Sequence, residues 1–285
     1  MSENMNAQTI LDAGAALTGP RLATNTVDEN GVPFVVVPQN YAVHDLEKLL
    51  PQPTRKRGTV IMLDGASFIE HLKKHGEPGE TVIYADVDYE ASKYGLVAVI
   101  NDHSDDTPQW RDHRATLEPI KSLEWKRWTG KNSVAMPQAD FAAFIEDNMG
   151  DVASVDGMPT GKDMLEMALN FQANSEKRFK KKLDPQGGGA HLEYVDQADE
   201  ATSTKMRFFE RFTIGIPVFQ GATDGYHVEA RLKFRMTNGD LRFWYELVRP
   251  DRVFKTAVAT EINKIKEAAG FTVLFGRPDA KDHRF

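Results

Sequence analysis

The chain has 285 residues, 41% of them hydrophobic and 27% charged, with a formal net charge of −7 and no cysteine. That length and apolar content are enough for a packed core and speak against a wholly disordered chain. Without thiols, disulfides, cysteine-ligated zinc, iron–sulfur clusters and a cysteine nucleophile are excluded, and the acidic balance confines any polyanion contact to a local patch.

Residues 1–30 carry neither the basic stretch nor the apolar core of a secretory signal, and they read as a flexible arm with one short helical pattern from Gln8 to Leu17. The longest apolar run, Tyr94 to Ile100, is too short to span a bilayer. A soluble, cytoplasmic protein with no membrane partner is expected.

Residues 31–150 read as a mixed α/β unit. "VPFVVVP" (Val32 to Pro38) has the make-up of a strand closed by proline, and "AVHDLEKLL" of a turn or two of helix before a loop, "PQPTRKRG". "GTVIML" (Gly58 to Leu63) is a strand. A helix then starts at Ser67, with Phe68, Ile69 and Leu72 on one face and Gly76 as its stop. "ETVIYADVDY" and "YGLVAVIND" flank "EASK" as an antiparallel hairpin, and Asp112 to Pro119 supplies a third strand. In the segment Ser122 to Asn148, Trp125 and Trp128 share a helical face. Pro137 opens a second helix with Phe141, Phe144 and Ile145 in line. Trp125, Trp128, Phe141 and Phe144 are therefore read as a helix–helix packing cluster, with an oligomer contact as the alternative.

Residues 151–285 read as a helix followed by an antiparallel-sheet unit. Thr160 or Asp163 caps a helix running to about Lys182, whose basic end, "EKRFKKK", complements the helix dipole. Four β-like runs follow: "AHLEYVDQ", "KMRFFERFTIGIPVF", "YHVEARLKFRM" and "DLRFWYELV". An Asn-Gly turn signal joins the last two. A helix stopped by Gly270 and a last strand, "FTVLFGRP", complete a ββββαβ order, and the fold class is α+β.

Two groups of residues have the make-up of sites. The alternation of the C-terminal runs buries Val228, Ala230, Leu232, Phe243 and Tyr245 and leaves a second face carrying Arg207, Phe209, Arg211, Arg231, Lys233, Arg235, Arg242 and Trp244. Cations hold phosphates and flat rings stack on unpaired bases, so this face suits single-stranded DNA; a subunit interface, or an ordinary solvated face whose charge Glu210, Glu229 and Glu246 offset, are the alternatives. Asp86, Asp88, His103 and His113 are oxygen and nitrogen donors that a hairpin with a third strand would gather at one sheet end. A divalent metal there would serve a hydrolase. There is no complete phosphate loop, dinucleotide fingerprint or serine elbow, so no catalytic residue is assigned and no other cofactor is implied.

The stretches "VPQNYAVHDLEKLLPQPTRKRGTVIMLDGASFIEHLKKH", "VAVINDH" with "WRDHRATLEPIKSLEWKRW", "MPQADFAAFIEDN", and "FTIGIPVFQG" with "VEARLKFRMTNGDLRFWYEL" together resemble the YfdQ-like family of tailed-phage and prophage proteins. The resemblance runs from about Val37 to Pro278 and implies a bacteriophage or prophage origin. It brings no catalytic residues to carry over. The family's Asp-Tyr-His stands here as Asn101-Asp102-His103. The expected function is a non-enzymatic, self-assembling protein forming a homo-oligomer, with a single-strand-binding factor of phage DNA replication or recombination, or a metal-dependent hydrolase, as alternatives.

Overall fold

The computed structural model describes residues 47–171, 180–183, 190–193, 206–237 and 240–278. The chain divides after Lys56 into two units. In the first, Glu47–Leu49 forms one 3-10 turn, and the Glu47 carboxylate accepts the Thr54 amide at 2.8 Å. The arm 1–30, the Gln8–Leu17 helix and the Val32–Pro38 strand lie outside the described residues.

The second unit is α+β. β1 (Gly58–Met62) leads into α1 (Gly65–His75). Asp64, not Ser67, opens this helix, because its carboxylate accepts the Ser67 amide at 2.8 Å. Phe68 and Leu72 are fully buried on its inner face. Gly76 does end it, though not through a left-handed cap: its φ is −73°, and a Cβ there would meet the Phe271 ring at 2.4 Å. Next come the hairpin β2 (Val82–Asp88) and β3 (Lys93–Val99), then β4 (His113–Leu117).

α2 (Leu123–Gly130) is capped by Ser122, β5 (Met136–Pro137) is a two-residue strand, and α3 (Gln138–Asp147) follows. α4 (Gly161–Asn170) starts with a full capping box between Thr160 and Asp163. It stops well short of Lys182. Lys180 to Lys182 lie in a strand, β6 (Lys180–Leu183), so the basic run does not complement a helix end. The reason is tertiary. Phe171, just past α4, turns into the core against Phe208, Phe234 and Phe243, with centroids at 5.7, 4.9 and 5.3 Å.

β7 (Ala190–Glu193), β8 (Met206–Phe208), β9 (Arg211–Ile216), β10 (Tyr226–Thr237) and β11 (Asp240–Leu247) follow. The Asn-Gly turn itself lies outside the described residues. α5 (Pro250–Ala269) ends at Gly270, here in the left-handed region at φ 76°, where glycine carries no Cβ penalty. β12 (Thr272–Phe275) closes the ββββαβ order.

The strands of the described residues form three sheets, in the orders β1-β4-β3-β2-β12, β5-β11-β10-β9 and β6-β7-β8. The last strand thus leaves the C-terminal sheet and pairs in parallel with β2. α5 packs on both α1 and β10 and carries the chain from one sheet to the other. In the first sheet only β1/β4 and β2/β12 are parallel pairs, so four strands run one way and β3 runs against them. Tyr94 of β3 meets Phe219 at 5.0 Å, and Phe219 meets Phe254 of α5 at 5.7 Å, which ties the first sheet to α5 through one aromatic chain.

Candidate assembly edges and a cationic sheet face

The tryptophan segment is interior. Trp125 and Trp128 are buried. Trp128 meets Phe144 at 5.0 Å, Tyr245 at 5.1 Å and Phe212 at 5.9 Å, while Phe141 stacks on Phe243 at 5.2 Å. The cluster reaches further than helix–helix packing, because three of its members come from β9 and β11. The indole Nε1 donates to Asp151 at 2.8 Å, and the Tyr245 hydroxyl donates to the Trp128 carbonyl at 2.7 Å.

The four metal candidates are not gathered at one end. β2 and β3 pair Asp86 with Gly95 and Asp88 with Lys93, at the hairpin turn. His113 sits at the opposite end, where its carbonyl accepts the Ile100 amide. Five to seven residue steps along the strand separate the two ends, about 17–23 Å. Asp86 is paired with Arg277 at 2.7 Å, Asp88 caps the turn at Ala91, and His103 accepts the Gln109 amide at 2.9 Å. No group of three or more His, Asp or Glu side chains among the described residues is arranged to hold a metal ion.

That far end does hold a polar network, whose partners the sequence does not show. Asp102 is buried, accepts the Tyr84 hydroxyl at 2.8 Å and pairs with Arg111 at 2.7 Å. Burial, then the Asp102 carboxylate, push the Tyr84 hydroxyl above its ordinary range. Arg111 adopts a left-handed backbone at φ 57°, and its carbonyl accepts Arg114 Nε at 2.6 Å. His75 stands 5.7 Å from His113 and 4.6 Å from His71. Burial, then His75 and Lys74, hold the His71 imidazole below its ordinary value.

The second face of β10 and β11 is open, as their alternation predicts. Arg211, Arg231, Lys233, Arg235 and Arg242 are exposed and Trp244 is half-buried. Phe209 is not among them. It is 7% exposed, because a bend at Glu210 breaks the alternation between β8 and β9 and turns the ring inward. Arg207 lies in β8, opposite His191. Arg211 pairs with Glu229 at 2.8 Å, Lys233 with Glu246 at 2.7 Å and Arg242 with Asp240 at 2.9 Å. The Lys233 bond, foremost, lowers the Glu246 carboxyl below its usual range. Arg235 lies 6.0 Å from the Trp244 ring centre.

The edges of the first sheet were not singled out by their sequence. β1 is exposed along nearly its whole length, with Val60, Ile61 and Leu63 in solvent and Ile61 at 58%. β12 shows Leu274 and Phe275, the latter 73% exposed. The other sheets end differently. β5 is two residues long and contains proline, and β9 is bridged to Val152. β6 reads Lys-Lys-Lys-Leu. Short strands, proline and lysine are the usual guards of a sheet edge; β1 and β12 contain neither proline nor lysine, and β12 is four residues long.

The family described as an uncharacterized conserved protein, DUF2303, matches residues 4–278. The chain belongs to the DUF2303 family. No curated protein and no solved structure matches it. The DUF2303 match runs through β1, the tryptophan segment, the cationic face and β12, so edges and face alike lie within the family region. Among the described residues no helix is long and apolar enough to cross a membrane.

Proposed function

We propose that this DUF2303 protein works by assembling with copies of itself rather than by catalysis, in a bacterial cytoplasm and from a bacteriophage or prophage gene. The phage origin is supported by the motifs from "VPQNYAVHDLEKLL" to "DLRFWYEL". The assembly is supported by one observation: among the described residues, a single sheet ends on both sides in an exposed apolar strand. Unpaired backbone groups beside exposed apolar side chains are a template for strand addition. β1 and β12 run in the same direction on opposite sides. Laying β12 of one copy beside β1 of the next continues the sheet in parallel. Such a head-to-tail contact repeats into a ring or a filament, whereas a β1–β1 contact stops at a dimer.

Particle mass by light scattering tests this. Ile61→Lys and Phe275→Lys each reduce the mass to that of one chain, and mixing the two restores a dimer through the surviving pair of edges. A mass of one chain for the unaltered protein at every concentration refutes the assembly. A mass sensitive to Ile61→Lys but not to Phe275→Lys refutes the head-to-tail mode.

A further inference from the structure

We propose that the hollow crossed by Trp244 binds single-stranded nucleic acid. The solvent face of β10 and β11 sets Arg231 opposite Glu246, Lys233 opposite Trp244, and Arg235 opposite Arg242. Trp244 lines two hollows. One of about 630 Å³ includes Arg211, Arg231 and Lys233 along with Glu210. The other, of about 280 Å³, includes Arg235, Arg242 and Ser133. A half-buried indole therefore stands between two cation-lined recesses on one open face. That geometry fits an extended ligand better than a compact metabolite.

Charge selects the ligand class. Five cations share this face, and carboxylates pair with three of them, Arg211, Lys233 and Arg242. The Glu246 carboxylate is hydrogen-bonded by Lys233, and Arg231, opposite it in register, is exposed and acts on that carboxylate through space. Arg235 lies over the indole. Arg231 and Arg235 point to the same side of β10 about 13 Å apart, with Trp244 beside the residue midway between them. A base stacked on Trp244, with its flanking phosphates on Arg231 and Arg235, uses all three groups at once. Stacking needs an unpaired base, so a duplex does not satisfy the site. A second copy of the chain fits this face less well, because a two-fold contact would set this run of cations against its own copy, and like charges facing each other oppose association. The apolar surface suited to self-contact lies on β1 and β12 instead.

The test is fluorescence anisotropy of a labelled oligothymidylate of about 20 nucleotides, titrated with the full chain at several salt concentrations. The unaltered protein is expected to bind, with affinity falling as salt rises. Trp244→Ala weakens binding about tenfold or more, and Trp244→Phe, which keeps a flat ring, recovers most of it. Arg231→Gln, a change at an exposed side chain, lowers the slope of log affinity against log salt by about 0.7, the value for one single-strand phosphate contact. Absence of binding overturns the proposal, as does binding that neither Trp244→Ala nor Arg231→Gln alters. Light scattering on the same samples separates this site from the assembly edges. If Trp244→Ala dissolves the particle and Ile61→Lys does not, the face is a protein contact and the proposal falls.

Discussion

Replacing Trp128 with alanine removes the centre of the core. The indole is completely buried and touches rings from α3, β9 and β11. Deleting a buried aromatic of this size costs about 3–5 kcal/mol in lost transfer energy and cavity formation. The change also removes the Nε1 donor 2.8 Å from Asp151. A hydrogen bond to a charged group contributes about 1.5–3 kcal/mol, and half-buried Asp151 regains part of that from water. The total is about 4–6 kcal/mol, a large share of the roughly 5–15 kcal/mol that holds a typical domain together. Trp128→Phe isolates the second contribution, since it keeps a ring in place and deletes the donor. It should cost about 1–3 kcal/mol. Urea unfolding followed by far-ultraviolet circular dichroism reads both, as a fall in midpoint with unchanged slope. An alanine variant within about 1 kcal/mol of the parent refutes the packing account, and so does a phenylalanine variant as damaged as the alanine one. Unchanged melting and particle size with lost ligand binding would move Trp128 from the core to a binding site.

Two further predictions concern the polar end of the first sheet. Arg111→Ala leaves the Asp102 carboxylate buried without its cation, and removing one partner of such a pair costs about 3–5 kcal/mol. A thermal midpoint unchanged from the parent would show that Asp102 has other means of support. The depressed His71 imidazole makes stability pH-dependent on the acid side. The unfolded chain protonates this residue near its ordinary value, about 6.5, while the folded chain resists until a lower pH. Its contribution is therefore complete above about pH 6.5 and is lost as pH falls toward the depressed value. His71→Gln should flatten the stability profile in that window. Urea midpoints that fall equally in parent and variant would assign the acid sensitivity to other groups.

Much of the local structure was legible in the chain. The alternation of "HVEARLKFRM" and "LRFWYEL" predicts which side of β10 and β11 is buried, because a strand exposes alternate residues whatever it packs against. Thr160 with Asp163 and Gly270 after α5 mark helix ends through bonds or backbone angles that involve only near neighbours. Where the reading failed, partners distant in sequence decided. The helix expected to reach Lys182 ends at Asn170, since Phe171 is drawn into rings from β8, β10 and β11. The expected aspartate–histidine cluster is divided between two ends of a hairpin, since register is a property of paired strands and not of either strand alone.

Local spacing, then, specifies the α+β class, the buried faces of the long strands, the helix starts at Gln138 and Thr160 and the cationic side of the C-terminal sheet. All of these follow from spacings within a few residues. Tertiary structure alone decided that β12 crosses to the first sheet, that Asp102 meets Arg111 and Tyr84, and that "GTVIM" and "TVLF" are exposed edges and not central strands. A short apolar run looks the same in the middle of a sheet and at its rim. Only the order in which strands hydrogen-bond decides which of them lacks a second neighbour, and that order is set by the packing of the whole unit.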